Sequence, residues 1–94
     1  MKHHILIKWN ELVTDKEAIA LEAEALFQGV LTVPGVHSVA LHRNVISRPN
    51  RYDLMLVITM DEAALPLYDV SEPHRQWKER YNHLLAAKAI FDCE

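Results

Sequence analysis

Cysteine is almost missing from the 94-residue chain: Cys93 stands alone, so no internal disulfide can form and no closed thiolate zinc site can be assembled. A reducing, cytoplasmic setting is the expectation. Glycine is nearly as scarce, with Gly29 and Gly35 alone, which leaves no glycine-rich loop to cradle a phosphate. Positive charge is not in excess: ten Lys and Arg against thirteen Asp and Glu give a formal net charge of -3, so nucleic acid is not an expected partner. No apolar run approaches the roughly 20 residues of a helical membrane span, and Met1 to Trp9 lacks the long apolar core and small-residue cleavage site of an export signal. His3 and His4 are too few for a purification tag and read as native sequence. Of the six histidines, His37, His42 and His83 have no metal-ligand spacing, and neither H-x-x-x-H nor H-E-x-x-H occurs. Neither a metal nor another cofactor is expected. What is present is the mix of a folded globular chain, 50% apolar and 24% charged. The length accommodates one domain, residues 1–94.

His3 to Trp9 is an isoleucine-rich run broken by Lys8 and predicts a strand. Thr14 and Glu17 form a T-x-x-E capping box, with Asp15 between them, and predict a helix reaching Leu31. Its apolar stripe is read as Ala18, Leu21, Ala25 and Leu26, widened by Ile19, Phe27 and Val30. Thr32-Val33-Pro34-Gly35 ends that helix. Val36 to His42 and Tyr52 to Thr59 predict a long hairpin turned near Arg48-Pro49-Asn50. Pro66 should break the next helical region. Ser71, with Pro73 in the first turn, should cap a helix running to about His83, its stripe being Trp77, Tyr81, Leu84 and Leu85. Ala86 to Asp92 is the last strand. This order predicts an α+β, ferredoxin-like βαββαβ sandwich, with both helices on one face of a four-stranded antiparallel sheet. Leu54 to Ile58 is apolar at odd and even positions alike, so both faces of its strand call for burial. A second copy of the chain on the open face is the expected cover, making a homodimer.

Five stretches then converge: His3-His4-Ile5-Leu6-Ile7-Lys8-Trp9, Val33-Pro34-Gly35-Val36, His42-Arg43-Asn44-Val45, Arg51-Tyr52-Asp53-Leu54, and Tyr68 followed six residues later by His74. In these, from about His3 to Asp92, the chain resembles the stress-responsive α/β-barrel domain (Dabb) family. The resemblance implies a ferredoxin-like protomer and a dimer whose two sheets form a barrel. The family includes plant stress proteins and a polyketide cyclase that makes olivetolic acid and works with a tyrosine and a histidine in a Y-x-x-H-P-x-H stretch. The outer positions match Tyr68 and His74, and a first-strand pocket histidine matches His3. Between them this chain departs, with Ser71 in place of the first histidine and then Glu72-Pro73. Smaller residues, Leu21 and Ala25, stand where the cyclase carries large aromatics on its first helix, implying a different substrate.

The resemblance implies His74 and Tyr68 as catalytic residues, with His3, Ile5, Ile7, Leu21 and Ala25 lining a substrate pocket. Imidazole titrates near neutrality and can take a proton from a carbon flanked by carbonyls, while Tyr68 orients it or donates to a carbonyl oxygen. The plainer reading has His74 capping its turn, Tyr68 packing its ring, and His3 as a polar strand end. Asp53 reads as the start of a strand or the partner of Arg51, and the run of Arg75, Lys78 and Arg80 as a solvated helix face. Trp77 and Tyr81, four apart, read as core or dimer contacts. Nothing in the sequence around Cys93 would activate it as a nucleophile. Three functions remain in play: a small cofactor-independent lyase or cyclase acting on a polar carbonyl compound, a non-catalytic dimeric module that binds a small molecule or serves the stress response, and, by fold analogy, a cofactor-independent monooxygenase-like protein.

Overall fold

Burial along the central strands alternates with period two, as a sheet with one covered face requires. The computed structural model describes every residue, Met1–Glu94. The strands are β1 (Lys2–Trp9), β2 (Val36–Arg43), β3 (Leu54–Met60) and β4 (Leu85–Cys93), and the helices are α1 (Lys16–Gln28), α2 (Leu65–Asp69) and α3 (Glu72–Tyr81). The sheet order is β2-β3-β1-β4 and every pairing is antiparallel. This is the expected ferredoxin-like arrangement. His3, Ile5, Ile7 and Trp9 of β1 and Leu54, Leu56, Ile58 and Met60 of β3 are buried under the helices. No helix is long and apolar enough to cross a membrane.

The first helix corrects the sequence reading twice. Its N-cap is Asp15, whose carboxylate accepts from the Ala18 amide at 3.0 Å, so the Thr14–Glu17 box does not form. A carboxylate also meets the positive end of the helix dipole, which a threonine hydroxyl does not. Its buried face is Ile19, Ala20, Ala23 and Phe27, continued by Val30 in the 3₁₀ turn Gly29–Thr32. The helix is rotated from the predicted stripe, so that Leu21 and Ala25, expected to face inward, lie outside. Apolar residues surround most of this helix, so periodicity alone leaves its rotation open, and the bulk of Ile19 and Phe27 decides it.

Other local signals translate directly. Val33 to Val36 closes a turn through Val36 N–H to the Val33 carbonyl at 3.1 Å, with Gly35 at φ 89°. A Cβ on Gly35 would lie 2.8 Å from Ala64 Cβ. Gly35→Ala is therefore expected to destabilise the chain by about 1–3 kcal/mol through backbone strain alone, more with the clash, and to lower its urea midpoint. An unchanged midpoint would show that the turn relaxes freely. The second helical region is broken as expected: Pro66 sits in the first turn of α2, and Pro73 in that of α3. Ser71 caps α3, its hydroxyl accepting from the His74 amide at 3.4 Å and donating to the Tyr68 carbonyl at 2.7 Å. Leu85, read as helical, instead opens β4.

Trp77 and Tyr81 turn inward and meet Phe27 and Trp9, with Trp77 5.1 Å from Phe27 and 6.2 Å from Trp9 between ring centres. Asp53 does not pair with Arg51: it accepts from the Trp9 amide at 2.8 Å and from Lys16 at 3.0 Å, tying the end of β1 to the start of α1. Arg51 donates to Asn50. On α3, Arg75 is held by Glu72 and Glu79. The other face of the sheet carries no helix. Two cross-strand rows run over its middle, Ala40-Val57-His4-Phe91 and His42-Met55-Leu6-Ala89.

Candidate functional site

Strand pairing brings the two ends of the chain together. His3 lies opposite Asp92 in the β1–β4 register, on the helix-covered face, and its Nδ1 is 2.5 Å from an Asp92 carboxylate oxygen. That imidazole is 6% exposed. Above it stands Tyr68 from α2, and beyond Tyr68 is His74, carried by the first turn of α3. The His3 and Tyr68 ring centres are 5.4 Å apart and those of Tyr68 and His74 4.8 Å, both edge to face. The tyrosine ring thus packs against both imidazoles. They share one cleft of about 280 Å³, floored by Ile5 and Trp77 and walled by Lys88, Ile90 and Asp92 of β4.

The ring of Tyr68 is packed, with 1% of the residue exposed. Its hydroxyl bonds no protein group, yet it is not a sealed polar atom; Trp9 Nε1 is the one buried side-chain N or O atom without a partner. Tyr68 nonetheless lines the cleft. Burial, helped by the Asp69 carboxylate, pushes the phenol well above its ordinary 10.0, so it stays a proton donor. For His74 burial works in the opposite direction, lowering its affinity for a proton below the ordinary 6.5. Asp69 opposes this, and Lys78 and Lys88 reinforce it. At neutral pH the cleft therefore offers a protonated phenol beside a neutral imidazole, a donor and an acceptor of protons 4.8 Å apart between ring centres.

The expected site residues divide clearly. His74, Tyr68, His3 and Ile5 come together in the cleft. Ile7 does not, being sealed in the core beneath the helices. Leu21, 54% exposed, and Ala25 lie on the outer side of α1 because that helix is rotated from the predicted stripe. The cap of α3 is Ser71, to which His74 gives its amide, while the His74 ring bonds the backbone of Asp69 in the preceding turn. The sequence reading missed Asp92. Its signal was the pairing of first and last strands, which puts residue 92 across from residue 3. His37 is paired with Asp61 at 2.8 Å on the surface, away from the cleft. No three His, Cys, Asp or Glu side chains converge as a ligand set for a metal.

No protein-family model matches the chain, and no curated protein matches it in sequence. Solved structures match its fold. A dimeric ferredoxin-like protein of unknown function from Thermobifida fusca aligns with a TM-score of 0.79 at 20% identity, covering 96% of this chain and 85% of that one. A Dabb family protein with a ferredoxin-like fold from Mesorhizobium loti aligns with a TM-score of 0.73 at 14% identity, over 99% of this chain and 93% of that one. The hydroxynitrile lyase of Passiflora edulis aligns with a TM-score of 0.73 at 8% identity, over 96% and 87%. The chain has the ferredoxin-like fold of a Dabb family protein, in keeping with the sequence motifs.

Proposed function

We propose that the chain is a Dabb-type homodimer and a small lyase or cyclase acting on a polar carbonyl compound without a cofactor, with His74 as the base and Tyr68 as the hydrogen-bond and proton donor. The observation that supports this reading is that Tyr68 and His74 line one cleft with their rings 4.8 Å apart, the phenol held protonated and the imidazole neutral. His74 takes a proton from a carbon flanked by carbonyls, and negative charge gathers on the carbonyl oxygen. Tyr68 donates to that oxygen, which acts where the charge develops. The resulting enolate can attack a second carbonyl, as in cyclisation, or take its proton back. A cyanohydrin would use the same two groups: His74 removes the hydroxyl proton, the carbon–carbon bond breaks, a carbonyl forms and cyanide leaves. His3, held by Asp92, lines the cleft and orients the substrate. The fold shared with a hydroxynitrile lyase supports testing that substrate class, the dimeric Thermobifida fusca counterpart supports a two-protomer assembly, and the sheet face that carries no helix is the surface assigned to it.

The test is proton exchange at the central carbon of 1,3-dicarbonyl compounds in deuterium oxide, followed by NMR, alongside cyanide release from aromatic hydroxynitriles. Saturable acceleration of one of these is expected, with Tyr68→Phe slower by about 10²–10³-fold, the cost of losing one donor to a developing oxyanion. Compounds that bind saturably but neither exchange protons nor release cyanide would overturn catalysis and leave a binding module.

A further inference from the structure

A second cleft, of about 460 Å³, lies at the far end of β1 from Tyr68 and His74, where the β2–β3 connection folds against the sheet. Four cations line it, Lys8, Lys16, Arg48 and Arg51, and Asp53 is the one carboxylate. That carboxylate is committed, one oxygen to the Trp9 amide and the other to Lys16. Lys8, Arg48 and Arg51 enter no ion pair, whereas Arg43 and Arg75 are each flanked by two glutamates. In a chain whose net charge is -3, this cleft has the opposite sign, and three of its four cations have no carboxylate partner.

The cleft is also shaped. Asn44 donates through its amide to the Asp53 carbonyl at 3.0 Å and through its side chain to the Tyr52 carbonyl at 2.9 Å, and its side-chain oxygen accepts from Ile46 at 2.7 Å. Arg51 N–H bonds the Arg48 carbonyl at 3.1 Å, and Lys8 reaches the Pro49 carbonyl. These bonds hold Arg48 and Arg51 on one short turn. Val45, 90% exposed, stands on the rim beside Ile46. Guanidinium forks match the geometry of phosphate and carboxylate oxygens, and concave walls concentrate the field of like charges. We propose that this cleft binds a small organic polyanion, a phosphate ester or a polycarboxylate, with its charged groups on Arg48, Arg51 and Lys8 and its carbon skeleton against Val45 and Ile46. A long polyanion is disfavoured, since the chain beyond the cleft carries an excess of carboxylates.

The probes are citrate and pyrophosphate, titrated into the full chain at low ionic strength and followed by amide NMR shifts. Saturable shifts confined to Lys8, Lys16 and residues 44–53 are expected, citrate binding more tightly than pyrophosphate if the apolar rim contributes. Arg48→Gln with Arg51→Gln should weaken binding about tenfold or more, while Lys78→Gln, on the exposed face of α3, should leave it unchanged. Should the double variant unfold by circular dichroism, Arg48→Gln alone, at the exposed tip of the turn, carries the same expectation in smaller measure. Shifts spread over the whole surface, equal weakening by Lys78→Gln, wild-type affinity in the arginine variants, or no saturable binding would each overturn the proposal. The His74 assay is unaffected by any of these results, so the two readings fail separately.

Discussion

A His74→Ala chain is expected to lose turnover of an enolisable carbonyl or hydroxynitrile substrate by about 10²–10⁴-fold, the range of one positioned general base, while melting close to the parent. The fold should hold because the start of α3 depends on the Ser71 hydroxyl and the His74 amide, which alanine retains. The activity should not hold, because the other imidazole in the cleft, His3, is engaged by Asp92 at 2.5 Å. The pH profile distinguishes a base from a packing residue. Burial disfavours the charged imidazole and lowers the His74 pKa below the ordinary 6.5, so the neutral form persists on acidification. The acid limb of kcat/KM in the parent should therefore fall below pH 6.5. Tyr68, pushed above 10.0, contributes no alkaline limb across the neutral range. An acid limb at or above 6.5, or a His74→Ala chain as active as its parent, would remove His74 from the base role.

That site was half legible in the sequence, and the division has a physical cause. Tyr68 and His74 are six residues apart, joined by a capped turn whose signals, Ser71 and Pro73, are local. Asp92 is 89 residues from His3, and only strand pairing makes them neighbours. The continuous apolar runs of β1 and β3 exposed the two central strands directly, and the period of two in a strand then divided their side chains between two faces. In α1 periodicity left the buried face open, since Ala18, Ile19, Ala20, Leu21, Ala23, Ala25, Leu26 and Phe27 allow several apolar stripes. Which stripe packs depends on the shape of the sheet beneath, so Leu21 and Ala25 were misplaced with it. Ile7 failed differently: it shares a face with His3 and Ile5, but it lies too far along β1 to reach the cleft.

Val57→Asp is expected to split the proposed homodimer into monomers at micromolar concentration, as read by size-exclusion chromatography with light scattering. Val57 stands in the middle strands of the open face, opposite His4 on β1 and Ala40 on β2. Around it lie Leu6, Met55 and Phe91, the last 64% exposed although aromatic. Lys2, Ser38 and Thr59 come at one end of this surface and Lys8 and His42 at the other, the distribution of polar rim and apolar centre that the proposed interface requires. A standard interface covers about 800 Å² per partner, and one face of a four-stranded sheet with eight-residue strands such as β1 and β2 offers an area of that order. Burying an unpaired carboxylate costs several kcal/mol, and two-fold symmetry brings two of them into one interface. The helix-covered side is untouched, because position 57 alternates with the buried Leu56 and Ile58. The monomer should thus retain its helical circular dichroism and lose thermal stability, its apolar rows now facing water. A Val57→Asp chain that stays dimeric with undiminished affinity would place the interface elsewhere, and the apolar odd-numbered residues of β3 would then require another cover.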